Sequence, residues 1–136
     1  MAGQIRAILG GRILDLIARV LVTFIFWSAG LAAVLDFPAW TAEMAHFGLT
    51  PAPVFGVATA VWLLVGSALV ILDRAAWLGA AALAVFTLLT IPIAHAFWTM
   101  AEPARTTNFH VVVEHITLVG AMLVVTLLSH ARRAAR

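Results

Sequence analysis

Cysteine is absent from the 136 residues, which excludes a redox dithiol, an iron–sulfur cluster and thiolate-held zinc. A four-helix membrane enzyme of the quinone-linked, thiol-oxidising kind needs cysteine pairs, so that class falls with them. Charge is also scarce: 10% of the residues are charged, against about 25% in a water-soluble domain. Lysine is missing, and all eight basic residues are Arg. There is no Gly-rich phosphate loop, no Ser-His-Asp set and no basic and aromatic pattern of the kind that binds nucleic acid. No internal repeat or low-complexity tract occurs.

What fills the chain instead is apolar sequence, 64% of it. Four runs stand out: Leu16 to Leu35, Val54 to Leu72, Ala76 to Phe97 and Val111 to Leu128. A helix rises about 1.5 Å per residue and a hydrocarbon core is roughly 30 Å thick, so about 20 apolar residues make one crossing. Lipid offers no hydrogen bonds to a bare backbone, and each run is therefore expected to be a helix. The expected fold is all-α: a single transmembrane domain over residues 1–136, folded as a membrane-spanning four-helix bundle. So little mass is left outside the bilayer that any reaction must use residues in or beside the helices, or be performed by a partner.

The Arg residues orient this bundle. Arg6, Arg12 and Arg19 precede or open the first run, Arg74 lies between the second and third, and Arg132, Arg133 and Arg136 follow the fourth. Four crossings place all of these on one side and only Arg105 on the other. The positive-inside rule then puts both termini in the cytoplasm. Arg19, one turn inside the first run, is expected to snorkel to the cytoplasmic headgroups. Arg-rich residues before an apolar run containing Ala29-Gly30-Leu31-Ala32 invite comparison with a signal peptide, but the run is too long and is expected to be retained.

The connectors add detail. Ile5, Ile8, Leu9 and Ile13 could lie flat on the inner leaflet as an amphipathic lead-in. The first run ends at Leu35-Asp36-Phe37-Pro38, and the longest connector follows. In it Trp40, Met44 and Phe47 repeat at helical spacing, which predicts a short interfacial helix on the outer face, with Gly48, Pro51 and Pro53 marking re-entry. Asp73-Arg74 leaves room only for a tight hairpin. Small residues recur four apart at Gly56 and Ala60, at Ala76, Ala80 and Ala84, and at Thr117 and Ala121; such spacing permits close helix approach, and in an Ala-rich chain also arises by chance.

Ionisable groups at membrane depth gather toward the outer side. His95 lies near the outer end of the third run, Glu114 and His115 about one turn into the fourth, and His110 one turn before Glu114. A carboxylate at the centre of a bilayer costs roughly 2.5 to 3.5 kcal/mol, less near the edge, so it usually has a partner or a wet cavity. Pro92, one turn before His95, removes a hydrogen bond to the Leu88 carbonyl. His95, Glu114 and His115 therefore have three readings. They could form a structural clasp between helices, a site for a quinone headgroup or small polar ligand, or a metal or haem site using His95 with His110 or His115. The metal signal is the weakest, because Glu-x-x-His repeats are missing. Asp36 and Glu43 could extend the cluster or simply be solvated, and Trp62 is expected to serve packing.

The ordered set Phe26-Trp27-Ser28-Ala29-Gly30, Leu35-Asp36-Phe37, Gly48-Leu49-Thr50-Pro51-Ala52-Pro53, Asp73-Arg74, Phe86-Thr87 and His95-Ala96-Phe97-Trp98 resembles the DoxX family over roughly residues 15 to 128. That resemblance implies a small four-span protein of the bacterial inner membrane. Some members are subunits of membrane-associated oxidoreductase complexes, including a thiosulfate:quinone oxidoreductase. Where the family often has a basic residue, a Glu and Lys-Asn, this chain has Ala33, Trp62 and Glu114-His115. Of the polar positions, His95 and Asp36 match, which implies a different internal pairing here.

Two functions are therefore expected to compete. One is an integral membrane subunit or anchor of a larger electron-transfer or respiratory-type complex, in contact with lipid and with bigger partners. The other is a quinone-interacting oxidoreductase using His95, Glu114 and His115. No catalytic residue and no metal site is assigned, and whether the chain is itself an enzyme stays open. A transporter has little support, since no second pair of broken helices is present.

Overall fold

The computed structural model describes residues 11–134, and every regular element among them is helical. The helices are α1 (Arg12–Val22), α2 (Phe24–Leu35), α3 (Phe37–His46), α4 (Ala52–Ile71), α5 (Ala76–Ala94) and α6 (Ala104–Ala134), with a 3-10 turn at Phe97–Thr99. Three segments are long and apolar enough to cross a membrane: Ala52–Ile71, Ala76–Thr99 and Ala104–Ala134. Helices α1 and α2, bent by 61° at their junction, make a fourth if taken together. The proposed lead-in at Ile5, Ile8 and Leu9 lies outside the described residues.

The bend corrects the expectation of one continuous helix from Leu16 to Leu35. Thr23 is fully buried at the break, and its hydroxyl donates to the Arg19 carbonyl at 2.7 Å. This side-chain bond competes with the helical ladder and bends it. The Val20 carbonyl accepts instead from the Trp27 indole N–H, at 3.1 Å across the break. The other boundaries differ because apolar runs mark lipid contact, whereas helices continue into polar zones. Helix α6 begins at Ala104, well before Val111, with Glu102 accepting from the Thr106 N–H at 3.3 Å and from its hydroxyl at 2.7 Å.

Local chemistry explains the turns. Asp36 caps α3 by accepting from the Ala39 N–H at 3.1 Å, with Pro38 in the first turn. Helix α3 ends at Gly48, whose φ of 73° suits the left-handed position. There Gly48 N–H donates to Ala45 at 3.0 Å and Leu49 N–H to Met44 at 2.9 Å, the paired bonds of a Schellman motif. The same motif closes α4, with Asp73 at φ 53° in the glycine position and Arg74 N–H donating to the Leu69 carbonyl at 3.1 Å.

Helix α4 is the hub: it packs against α2, α3 and α5, while α6 packs mainly on α5. Without water to exclude, this association depends on close packing between small residues. Gly66 and Gly79 face each other where α4 crosses α5; a Cβ on Gly79 would stand 2.6 Å from the Gly66 carbonyl oxygen. Gly56, Ala60, Ala76, Ala80 and Ala84 are buried as their spacing suggested, but of the pair Thr117 and Ala121 only Ala121 packs against the core, Thr117 being exposed. Phe26, Leu63, Leu83 and Met122 join α2, α4, α5 and α6 in one core cluster.

Candidate functional site

Helix α3 lies across one end of the bundle because Trp40 pins it there. The Trp40 indole N–H reaches the Gly56 carbonyl at 3.1 Å and the Thr59 hydroxyl at 3.2 Å, both on α4. Beneath this roof is a cavity of about 540 Å³, in the range of small-molecule sites. Trp40, Met44 and Phe47 cover it, and Phe26, Leu63 and Thr87 line its deeper part, two or three helical turns from the ends of α2, α4 and α5. Its other polar lining consists of Glu43, Thr59, Thr90, His95 and His115. The three threonine hydroxyls donate to carbonyls of their own helices, Thr59 to Phe55, Thr87 to Leu83 and Thr90 to Thr87. The two imidazoles and the carboxylate are thus the groups left to engage a ligand.

The backbone places these groups at the α3 end of the bundle. Pro92 sits inside the last turn of α5, which stops at Ala94, and His95 is the capping residue, its N–H donating to the Ile91 carbonyl at 3.0 Å. His95 Nδ1 lies 2.9 Å from Asn108 Oδ1, on the first turns of α6. The His95 and His115 rings meet edge to face with centroids 5.0 Å apart, and His115 Nδ1 is buried with no hydrogen-bond partner among the described residues. His95 and His115 therefore come together as expected for consecutive antiparallel helices.

Glu114 does not join them. It is exposed on α6 and lines no part of the cavity, since neighbouring helical residues point about 100° apart. The carboxylate at the cavity belongs to Glu43 of α3, whose position the Trp40, Met44, Phe47 spacing could have indicated. His110 is exposed beside Phe109, while Asp36 is spent on capping α3. Trp62 is 48% exposed and donates its indole N–H to the Ala82 carbonyl at 3.0 Å, so it bridges α4 and α5 from outside rather than filling the interior. Among the described residues no three His, Asp or Glu side chains are grouped to hold a metal.

A second polar cluster occupies the opposite end of the bundle. Arg19 is 7% exposed and does not snorkel. Its Nε lies 3.0 Å from Asp15 Oδ2, while Nη1 lies 3.1 Å from Asp73 Oδ1 and 2.9 Å from the Val70 carbonyl oxygen. Arg132 Nη1 stands 2.6 Å from the other oxygen of Asp15. Close carboxylates outcompete the headgroups because they give directional, charge-assisted bonds without stretching the side chain away from the bundle.

An all-helical, multi-pass membrane protein with an apolar cavity and paired imidazoles at one end is the class these features define. Residues 14–96 match the DoxX family model, more than half of the chain, and the protein belongs to the DoxX family. The match ends before α6, which supplies Asn108 and His115 to the site. No curated protein and no solved structure matches the chain.

Proposed function

We propose that this DoxX-family protein is an integral membrane subunit or anchor of a larger electron-transfer assembly, and that it contributes a site for a quinone-type ring. The proposal places it in the bacterial inner membrane with α1 and α2 forming one of four crossings and both termini cytoplasmic. The observation that carries the ligand reading is the cavity itself. It is apolar in depth and polar at the outer end, the distribution an amphiphile entering from lipid requires. His95 and His115 are assigned to the oxygens of the ring, and Glu43 takes the place expected for Glu114.

The subunit reading draws support from the roles that the family resemblance implies and from the surface of α6. That helix packs mainly on α5 and leaves Ile116, Leu123, Val124 and Leu127 exposed to lipid or to a neighbour.

Two measurements test the proposal. Protein in lipid nanodiscs is titrated anaerobically with a short-chain ubiquinol while tryptophan emission is followed, since Trp40 lines the cavity. Saturable quenching that His95→Ala and His115→Ala weaken is expected; unchanged binding in both variants removes the ligand reading. Gentle extraction of native membranes is expected to yield the chain in a larger complex, and recovery solely as a monomer or homo-oligomer removes the subunit reading.

A further inference from the structure

Asn108 carries chemical information that the cavity's shape alone does not. Its Nδ2 donates to the Ala104 carbonyl at 3.0 Å, one turn back on α6. That bond fixes which way the amide faces, and so the atom 2.9 Å from His95 Nδ1 is the carbonyl oxygen Oδ1. An amide oxygen only accepts, so the neutral His95 ring must hold its proton on Nδ1. Its remaining nitrogen, Nε2, then carries a lone pair and no hydrogen.

We infer that Asn108 sets the tautomer of His95 so that the site selects lipophilic ligands bearing a hydroxyl: a hydroquinone or other phenol rather than the corresponding quinone. This rests on the ligand reading of the cavity and refines it. A quinone carbonyl offers only lone pairs, which face the lone pair of Nε2 without a proton between them. A hydroquinone O–H donates to that nitrogen. The other polar groups agree with this choice: the Glu43 carboxylate accepts, and the cavity's threonine hydroxyls have already given their hydrogens to helix carbonyls. Apart from the imidazoles, the lining is therefore rich in acceptors and poor in donors. Asn108 is a positioning residue, acting on the ligand through His95.

Trimethylhydroquinone, its dimethyl ether and trimethylbenzoquinone share one ring and differ in the hydrogen-bonding group. With the protein in nanodiscs under anaerobic conditions, the hydroquinone should bind about tenfold more tightly than either of the others, the worth of one well-placed hydrogen bond. Asn108→Leu should bring the three affinities together, and Asn108→Asp, which keeps an acceptor facing Nδ1, should restore the preference. In the wild type, the ¹⁵N spectrum of labelled histidine should show His95 Nδ1 protonated and Nε2 bare, a readout independent of whether any variant folds. A proton on Nε2, or a wild type that binds the quinone as tightly as the hydroquinone, overturns the inference while leaving the cavity a ligand site. Binding of none of the three overturns both readings.

Discussion

Arg19 and Asp73, 54 positions apart in the chain, meet at 3.1 Å and join α1 to the turn between α4 and α5. The contact needs a backbone exception, since Asp73 reaches it from a left-handed φ of 53° that closes the Schellman motif of α4. A carboxylate stands where glycine would be the easier residue. The same guanidinium binds Asp15 and the Val70 carbonyl oxygen.

Replacing this buried arginine should be costly. Arg19→Met strands Asp73, about a third exposed, and leaves Asp15 with Arg132 alone; it is expected to destabilise the protein by about 1.5–3 kcal/mol. Asp73→Asn keeps a residue that tolerates the left-handed turn and should cost roughly 1 kcal/mol. Arg132→Ala removes a pair whose arginine is 44% exposed, and should change stability by less than about 1 kcal/mol. Thermal unfolding in one detergent checks the order of the three.

The glycines give a second graded series. Gly79→Ala drives a methyl against a backbone carbonyl oxygen at 2.6 Å, which moves only if α4 and α5 separate. A loss of about 2–3 kcal/mol is expected. Gly66→Ala meets the Leu83 side chain at 2.9 Å and can be eased by a rotamer change, so about 1 kcal/mol should suffice. At Gly120 nothing lies within 4 Å, and alanine there should gain about 0.5–1 kcal/mol of helix stability. Melting curves of the three variants decide this.

The absence of native cysteine makes topology directly measurable, since any introduced thiol is the sole label site. A membrane-impermeant maleimide applied to intact cells should label Glu102→Cys and leave Arg74→Cys and Arg133→Cys unmodified until the membrane is opened. The reverse pattern would invert the proposed orientation.

The two glutamates near the site should behave differently. Glu43→Ala changes a group that lines the cavity, and ligand affinity should shift by about tenfold, the worth of a charge-assisted hydrogen bond. Glu114→Ala alters an exposed side chain outside the cavity and should leave affinity unchanged. Equal effects from both, in the same ubiquinol titration, would mean that the ligand sits elsewhere.

Much of the fold was legible because hydropathy has a simple physical cause: a long apolar run must be a helix in lipid. Runs two, three and four appear as α4, α5 and α6, and the spacing of Trp40, Met44 and Phe47 marked α3. The break at Thr23 was not legible, since it depends on a hydroxyl turning back to the Arg19 carbonyl. Pairing of His95 with His115 followed from antiparallel connectivity. The exchange of Glu114 for Glu43 did not, because it depends on the rotation of α6 and on where α3 sits, which tertiary packing decides. The burial of Arg19 is hidden in the sequence for the same reason: its partners Asp73 and Val70 lie more than 50 positions away.

The break at Thr23 also sets a vertical dimension. Helix α2 has 12 residues, which rise about 18 Å, and α1, bent 61° away from it, adds little further depth, so the pair falls short of a hydrocarbon thickness of roughly 30 Å. Helix α3 starts directly after it and turns aside, with Trp40 bonded to α4 rather than to the headgroup layer. Hydrophobic mismatch of this kind is relieved by thinning the bilayer locally. The leaflet on the α3 side would then dip around that helix, bringing the aqueous phase closer to His95.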